Sequence, residues 1–329
     1  MPDITQNEQN KILEVNDLSV IYSTKDGDVH AVNSLNLSME RGKTTGLVGE
    51  TGAGKTTLAL SVMNLLPDKT GKITGGSIKF DGEELTSCKE ADYLAIRGNR
   101  ISMIFQDPMT SLDPVMNIGD QIAEAYTIHH PHAQTAEVNA KVDEMLNLVG
   151  ISADRKTCFP HELSGGMKQR VVIAMALITS PELLIADEPT TALDVTIQAQ
   201  VLNMTSKLTM EKNTSCLLIT HNLGLVVRYC DYVSVIYAGH IVEEGTVEDV
   251  FKMSRNHPYT EGLLKCVPDI SEKKESLYSI PGFAANPRNL PEGCAFADRC
   301  EYACERCHKE KPDMHYIGTH GISCHREEK

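Results

Sequence analysis

The sequence lacks a hydrophobic run long enough to cross a membrane. Its longest candidate, VVIAMALITS, ends at Pro181 and Glu182, whereas a membrane-spanning helix needs about 20 apolar residues. The amino-terminal MPDITQNEQNK is polar and acidic and has no hydrophobic segment of the kind found in secretion signals. The sequence therefore predicts a cytoplasmic protein, for which any association with a membrane must come through other subunits.

Positive charge is also scarce. The 329 residues include 31 Lys and Arg against 45 Asp and Glu, which gives a formal net charge of -14. Domains that bind nucleic acid directly present a basic surface, and anionic lipids attract basic segments in the same way. We therefore expect no nucleic-acid partner and no direct attraction to anionic lipid.

A glycine-rich loop, GETGAGKTT, occupies residues 49–57. It satisfies G-x-x-x-x-G-K-[ST] and lies between TTGLVG, a predicted strand, and TLALSVMNLL, a predicted helix. In such a loop, backbone N–H groups and the helix N-terminus face one anion. We expect Lys55 to reach the outer phosphates of a nucleotide and Thr56 to ligate magnesium. Taken alone, the loop could also be a chance glycine-rich turn. The predicted binding residues are Gly49, Glu50, Thr51, Gly52, Ala53, Gly54, Lys55, Thr56 and Thr57.

Two acids follow a second apolar run, LLIA at 183–186. This run predicts a parallel strand buried on both faces. Asp187 and Glu188 then stand at its carboxyl end, where open α/β sheets bind ligands. Asp187 is expected to hold magnesium, directly or through water, and Glu188 to polarise the attacking water. An acidic pair after a strand is otherwise commonly the start of a solvated loop.

The complete motif set resembles that of the nucleotide-binding subunits of ABC transporters. Besides the loop and the acidic pair, it includes Gln106 in IFQDP, LSGGM at 163–167, TALD at 191–194 and His221 in CLLITHN. The resemblance covers residues 11 to about 245. It implies an α/β fold, the P-loop ABC ATPase, with a RecA-like sheet core, a helical subdomain at about 86–164, and ATP and Mg²⁺ as ligands.

The same resemblance implies roles for single residues. Tyr22 would stack on adenine, Gln106 would touch magnesium and sense the membrane partner, and Asp194 would belong to a loop that crosses the dimer. His221 would meet the γ-phosphate beside Glu188. The implied catalytic residues are Lys55, Glu188 and His221, and the implied magnesium ligands are Thr56, Gln106 and Asp187.

The LSGGM motif departs from the commoner LSGGQ at Met167. Ser164 and the N–H groups of Gly165 and Gly166 are expected to contact phosphate at the start of a predicted helix. In the family's architecture that helix points away from its own phosphate loop. The resemblance therefore implies a head-to-tail dimer in which the four residues from Ser164 to Met167 close the partner's pocket. Locally, Ser164 also has the character of an ordinary helix N-cap.

The predicted domain order is a disordered tail at 1–10, a nucleotide-binding domain at 11–245 and a loop-rich extension at 246–329, where Pro and Gly are dense. HPYT, IPG and GCAFADRC in the extension resemble the oligopeptide, dipeptide and nickel branch of bacterial ABC importers. This second resemblance implies two membrane permease subunits and a second ATPase subunit, which we expect to be a different chain. It also implies an extracellular or periplasmic solute-binding protein and a place on the cytoplasmic face of the membrane.

Five of the ten cysteines are clustered near the end of this extension, from Cys294 to Cys324. Clustered cysteines in a cytosolic chain favour metal or cluster binding over disulfides. Family position selects Cys294, Cys300, Cys307 and Cys324 and implies a [4Fe–4S] cluster, with Cys304 left over. Zn²⁺ remains an alternative because four thiolates also fit a tetrahedral site, and unligated thiols are a third.

The leading hypothesis is an ATP-hydrolysing, energy-coupling subunit of an importer for dipeptides or oligopeptides. Nickel chelate or another solute remains open as the cargo. A soluble ABC ATPase acting on nucleic acid or ribosomes is a second class of function, and a redox or metal sensor is a third.

Overall fold

The computed structural model describes residues 10–191, 193–252, 255–267 and 278–328. The predicted disordered tail, apart from Asn10, lies outside these ranges. The chain divides into two compact units. We call residues 13–39, 45–86 and 220–329 the Walker A unit, and residues 1–12, 40–44 and 87–219 the signature unit.

The strands follow the apolar segments of the sequence. They are β1 (Lys11–Thr24), β2 (Gly27–Glu40), β3 (Thr44–Val48), β4 (Gly71–Phe80), β5 (Glu83–Glu84), β6 (Ile101–Ile104), β7 (Leu183–Asp187), β8 (Ser215–Thr220), β9 (Tyr232–Tyr237), β10 (His240–Thr246), β11 (Met314–Ile317) and β12 (His320–Ser323).

The helices lie between these strands and after them. They are α1 (Lys55–Val62), α2 (Glu90–Ile96), α3 (Pro108–Ser111), α4 (Ile118–Thr127), α5 (Thr135–Leu148), α6 (Gly165–Leu177), α7 (Val195–Glu211), α8 (Leu223–Tyr229), α9 (Val247–Lys252), α10 (Pro258–Cys266) and α11 (Glu305–Lys309). Short 3₁₀ turns occupy Ala153–Thr157, Pro160–Glu162, Ala297–Arg299 and His325–Glu328. Within the described ranges, no helix is both long enough and apolar enough to span a bilayer.

The Walker A unit contains a sheet of order β2-β1-β4-β5. The sequence predicts ILEV and LSVIY as strand segments, and the structure joins them in the single strand β1. The register against β4 shifts between Asn16 and Ser19, where Asp17 has a φ of 50°. A bulge of this kind bends a strand without ending it, which is why the two segments form one element.

The second sheet of the Walker A unit has the order β11-β12-β10-β9-β3. Strand β3 pairs with β9 in parallel, whereas β10 pairs antiparallel with both β9 and β12. A hydrophobic core beside this sheet joins Val48 at the end of β3 to Tyr237, Tyr259 and Phe296. The end of the strand that precedes the phosphate loop therefore shares a core with the C-terminal part of the chain.

The signature unit contains the parallel strands β6, β7 and β8, with β7 between the other two. Every residue of β7 is buried, as the uninterrupted apolar run predicts. The segments DQIAEAYTIHH and HAQTAEVNAKVDEMLNLVG have the periodicity of amphipathic helices. Both helices are present: α4 buries Ile118, Ile122 and Tyr126, and α5 buries Val142 and Met145. These helices form the part of the unit that precedes the LSGGM motif.

Candidate functional site

The phosphate loop connects β3 to α1 in the Walker A unit. Close packing requires two of its glycines. A Cβ on Gly49 would lie 2.2 Å from the carbonyl oxygen of Ile236, and one on Gly54 would lie 2.4 Å from that of Ala31. Gly54 also has a φ of 105°, a conformation that glycine adopts readily. The glycines thus hold the loop against β9 and β2.

Lys55 is the first residue of α1 and is only 6% exposed. Its ammonium group donates to the carbonyl oxygens of Gly49 at 2.8 Å and Glu50 at 2.9 Å. These hydrogen bonds fold the lysine back over the loop that it follows. An ammonium group held there is placed to meet the phosphates that such a loop binds.

Other predicted residues of the Walker A unit lie near the start of α1 or after β8. The Tyr22 hydroxyl donates to Oγ1 of Thr57 at 3.3 Å, so the predicted adenine-stacking tyrosine is brought to this helix. The side chain of Thr56, the predicted magnesium ligand, is exposed. His221 is also exposed and directly follows β8.

Glu50, the second residue of the loop, bonds to the C-terminal part of the same unit. Its carboxylate accepts hydrogen bonds from Arg299 Nη1 at 2.9 Å and Nη2 at 3.0 Å. Its backbone N–H donates to the Tyr259 hydroxyl at 2.8 Å. Burial lowers the pKa of Arg299, but its hydrogen bonds to Glu50 and Tyr237 more than offset this and raise the pKa above the ordinary value. The guanidinium group of Arg299 is therefore held in its charged form beside the Glu50 carboxylate.

The acidic pair lies in the signature unit. Asp187 ends β7 and is buried. Glu188 follows with a φ of 45°, and its Oε2 accepts a hydrogen bond from Gln106 Nε2 at 3.2 Å. The backbone of Glu188 is fixed because its N–H donates to the Ile219 carbonyl at 2.9 Å. Three predicted residues, Gln106, Asp187 and Glu188, thus meet at the carboxyl end of β7.

Helix caps explain the local conformation of the LSGGM and TALD motifs. Ser164 Oγ accepts from the N–H of Met167 at 3.3 Å and begins α6. Asp194 Oδ1 accepts from the N–H groups of Thr196 at 3.1 Å and Ile197 at 3.0 Å and begins α7. Asp194 therefore has a structural task within its own chain besides the dimer role predicted for it. Of the TALD residues, Ala192 lies outside the described ranges.

Four cysteines line one small cavity in the Walker A unit, together with His257 and Phe296; they are Cys294, Cys300, Cys307 and Cys324. Burial, with smaller contributions from the neighbouring cysteines, raises the pKa of the Cys294 thiol to about 11. Burial also raises the pKa of Cys300, Cys307 and Cys324. Within the described ranges, no three His, Cys, Asp or Glu side chains are already arranged as metal ligands. The predicted cysteines therefore converge on one cavity but do not form a preassembled site.

Comparison with known proteins identifies the family. Residues 32–191 match the ABC transporter family. The chain is 48% identical over 305 residues to the oligopeptide transport ATP-binding protein AppD of Bacillus subtilis, covering 92% of each chain. The chain belongs to the ABC transporter ATP-binding family. As a member it is an ATPase. Residues 242–307 match the oligopeptide/dipeptide transporter C-terminal region.

Two further similarities concern a curated relative and a solved structure of an ABC protein. The oligopeptide transport ATP-binding protein OppD of Salmonella typhimurium is 47% identical over 305 residues, with 92% of this chain and 90% of that protein covered. The solved structure of cbiO1 from Clostridium perfringens, part of an ABC transporter complex, is 29% identical with a TM-score of 0.65 and covers 74% of this chain and 91% of its own. These similarities confirm the predicted P-loop ABC ATPase fold.

The predicted site residues of this ABC ATPase lie in both units. Tyr22, the phosphate loop and His221 belong to the Walker A unit, and Gln106, Asp187, Glu188, residues 164–167 and Asp194 belong to the signature unit. The sequence did not single out Arg299 or Tyr259. Each lies in a motif, ADRC or HPYT, that indicates the branch of the family, but nothing in either motif indicates a contact with Glu50.

Proposed function

We propose that this ABC ATPase is the energy-coupling subunit of an importer for dipeptides or oligopeptides, working as a head-to-tail dimer of ATPase subunits. The match of residues 242–307 to the oligopeptide/dipeptide transporter C-terminal region carries this proposal. The names of the relatives in Bacillus and Salmonella support it, because both are oligopeptide transport ATP-binding proteins. A nickel chelate or another solute is the alternative cargo, and a soluble ABC ATPase is the alternative function.

In the proposed reaction, each site residue acts on ATP. Lys55 neutralises the outer phosphates. Thr56, Gln106 and Asp187 would hold Mg²⁺, which would supply charge neutralisation at the transferred phosphoryl group. The Glu188 carboxylate orients and polarises the attacking water. Removing the negative charge of Glu188 should slow ATP hydrolysis more than it weakens ATP binding.

His221 and the signature residues complete the proposed site. His221 contacts the γ-phosphate, and Ser164 with the N–H groups of Gly165 and Gly166 binds the partner's ATP at the N-terminus of α6. Tyr22 stacks on the adenine. Hydrolysis in such a shared pocket separates the two subunits and resets the permeases.

The test of the site is Glu188→Gln in the full chain. This substitution keeps the size and the hydrogen bond to Gln106, so ATP affinity should stay within about twofold while steady-state hydrolysis falls by about a hundredfold or more. Lys55→Ala should instead weaken ATP binding. The matched control is Glu211→Gln, an exposed acid on α7 of the same unit. Near-normal turnover in Glu188→Gln would contradict the assignment.

The proposed partners are two membrane permease subunits, a second ATPase subunit that is a different chain, and a solute-binding protein outside the membrane. The chain would be held at the cytoplasmic face through the permeases. Affinity purification from membranes followed by mass spectrometry tests this assembly. Recovery of two integral membrane proteins and a second ATPase supports it, whereas recovery with ribosomal components supports the soluble alternative.

We also propose that Cys294, Cys300, Cys307 and Cys324 hold a [4Fe–4S] cluster. Their thiols line one cavity, and their raised pKa values reflect burial and mutual repulsion, both of which bound iron would relieve. The cluster would supply folding energy to the C-terminal part of the chain, which is rich in Pro and Gly. Zn²⁺ is the alternative.

Anaerobic purification tests the cluster. The chain should contain about four irons and four labile sulfides, and Ser substitution of any of the four cysteines should remove them. Cys304→Ser should retain them, because Cys304 is exposed and does not line the cavity. Cys266→Ser, in α10 of the same unit, is a second control. One zinc without sulfide would overturn the cluster and leave the ATPase assignment unchanged.

A further inference from the structure

Glu50 places a negative charge inside a loop that receives a polyphosphate. Its backbone carbonyl accepts from Lys55, and its N–H donates to Tyr259, so the residue is an integral part of the loop. An unneutralised carboxylate there would repel the phosphates of ATP, since like charges at short range in a partly buried site interact strongly. The charge of Glu50 must therefore be compensated before the nucleotide binds.

Arg299 supplies this compensation in a fixed geometry. Two guanidinium nitrogens reach the two oxygens of the Glu50 carboxylate, and the arginine side chain is only 6% exposed. Its Nε donates to the carbonyl oxygen of Pro281 at 3.0 Å, and Nη1 lies 3.3 Å from the Tyr237 hydroxyl. A bidentate ion pair whose arginine makes further hydrogen bonds fixes both the position of the positive charge and the orientation of the guanidinium group.

Two residues that hold this ion pair in place, Pro281 and Tyr259, belong to the C-terminal part of the chain. Tyr259 on α10 is fully buried, and its ring packs against Tyr237 with centroids 4.7 Å apart and against Phe296 at 5.4 Å. Phe296 is three residues before Arg299, and Cys300 directly follows Arg299. The aromatic cluster therefore connects the cysteine cavity to the second residue of the phosphate loop.

We propose that Arg299 is a positioning residue of the nucleotide site, which neutralises Glu50 so that the phosphate loop accepts a polyphosphate. Tyr259 assists by holding the backbone N–H of Glu50. This inference rests on the proposed ATP site and extends it, because it makes residues 258–300 part of the machinery for ATP binding rather than only a mark of the importer branch. Arg299 acts through Glu50 and does not itself need to touch ATP.

The test compares Arg299→Met, Glu50→Gln and the double variant in the full chain, using equilibrium affinity for ATP and ADP. Arg299→Met leaves the carboxylate uncompensated and should weaken ATP binding about tenfold. It should weaken ADP binding less, because ADP carries less charge. The Glu50→Gln single variant is the reference against which the double variant is compared. In the double variant, Glu50→Gln should rescue Arg299→Met to within about threefold of that reference.

Controls separate this role from a general structural one. Arg288→Met removes an exposed arginine of the same region, which pairs with Asp26 at 3.6 Å, and should not change ATP affinity. Urea denaturation monitors folding in every variant. Rescue by Glu50→Gln supports neutralisation, whereas equal losses for ATP and ADP without rescue would overturn it. If Lys55→Ala also retains ATP affinity, the proposed site itself is wrong. If Lys55→Ala loses ATP affinity while Arg299→Met retains it, only the inference about Arg299 fails.

Discussion

At the level of single residues, Glu188, the proposed catalytic residue, has an unusual backbone conformation. Its φ of 45° lies in the left-handed region, which costs a non-glycine residue on the order of 1–3 kcal/mol. Its carbonyl accepts hydrogen bonds from the N–H and hydroxyl of Thr191, at 3.1 and 3.0 Å, while its N–H donates to Ile219. These bonds hold the strained conformation in place.

Replacing Glu188 by Gly should therefore abolish hydrolysis without destabilising the fold. Glycine adopts this conformation freely, so the free energy of unfolding should stay the same or rise by up to about 1 kcal/mol. Glu188→Gln keeps the strain and should change stability by less than about 0.5 kcal/mol. Urea denaturation checks both values. A Gly variant more than about 1 kcal/mol less stable than wild type would show that the conformation is not strained.

His257 provides a residue whose protonation is coupled to folding. Burial, with a smaller contribution from Arg326, lowers its pKa to about 3, and its Nδ1 accepts a hydrogen bond from the N–H of Tyr259 at 3.1 Å. The unfolded chain binds a proton near pH 6.5, but the folded chain does not bind it until near pH 3. The stability due to neutral His257 is therefore complete above pH 6.5 and decreases as pH falls toward 3.

Below pH 6.5 this residue should reduce the free energy of unfolding by up to about 1.4 kcal/mol per pH unit. His257→Asn keeps a side chain that can cap α10 but does not titrate, so its stability should decline less steeply between pH 6.5 and 4.5. Urea titrations over this range compare the two slopes. Equal slopes would contradict the role given to His257.

At the level of elements, α7 begins at a residue for which two roles are available. Asp194 caps the helix through the N–H groups of Thr196 and Ile197, and family resemblance predicts that it also crosses the dimer. Asp194→Ala should lower the free energy of unfolding by about 1 kcal/mol. Asp194→Asn should retain the wild-type free energy of unfolding, because Asn caps a helix equally well.

The same pair of variants tests the dimer role. If the charge of Asp194 acts on the partner subunit, Asp194→Asn should reduce ATP hydrolysis while stability is kept, and Asp194→Ala should reduce both. Thermal denaturation and steady-state hydrolysis measured on the same samples distinguish these outcomes. Full hydrolysis in Asp194→Asn would leave capping as the role of this residue.

The elements were predictable wherever local pattern decides the structure. The apolar runs LLIAD, CLLIT and YVSVIYAG predict three strands, which the structure shows as β7, β8 and β9. The periodicity of α4 and α5 likewise indicated helices. The helix predicted after the phosphate loop was too long, since α1 ends at Val62 and Asn64 has a φ of 49°. Contacts distant in sequence were not predictable: Arg299 and Glu50 are 249 positions apart, and hydrophobic periodicity carries no information at that range.

At the level of the whole molecule, a shared ATP pocket predicts complementation between two inactive chains. Lys55→Ala inactivates the phosphate loop of one chain. Ser164→Arg inactivates the LSGGM motif of the other chain. If the purified chain pairs with itself, about half of the dimers in an equal mixture contain both variants, each such dimer with one intact pocket, so about a quarter of the wild-type sites should return. Hydrolysis should also depend steeply on protein concentration. Full activity in samples that sedimentation shows to be monomeric would contradict a shared pocket.

Glu243 on β10 has a consequence for the order in which the chain is completed during synthesis. This fully buried carboxylate accepts hydrogen bonds from Asn256 Nδ2 at 2.8 Å and the His257 N–H at 2.9 Å, and it lies 2.6 Å from Nε2 of His320, 77 positions later. At ribosomal speed that interval lasts roughly 4 to 15 seconds. Until His320 has left the ribosome, Glu243 lacks one of its partners and β10 lacks β12 beside it. The nascent chain should therefore hold this edge of the sheet open for seconds, long enough for chaperones to bind it before the last strands close over it.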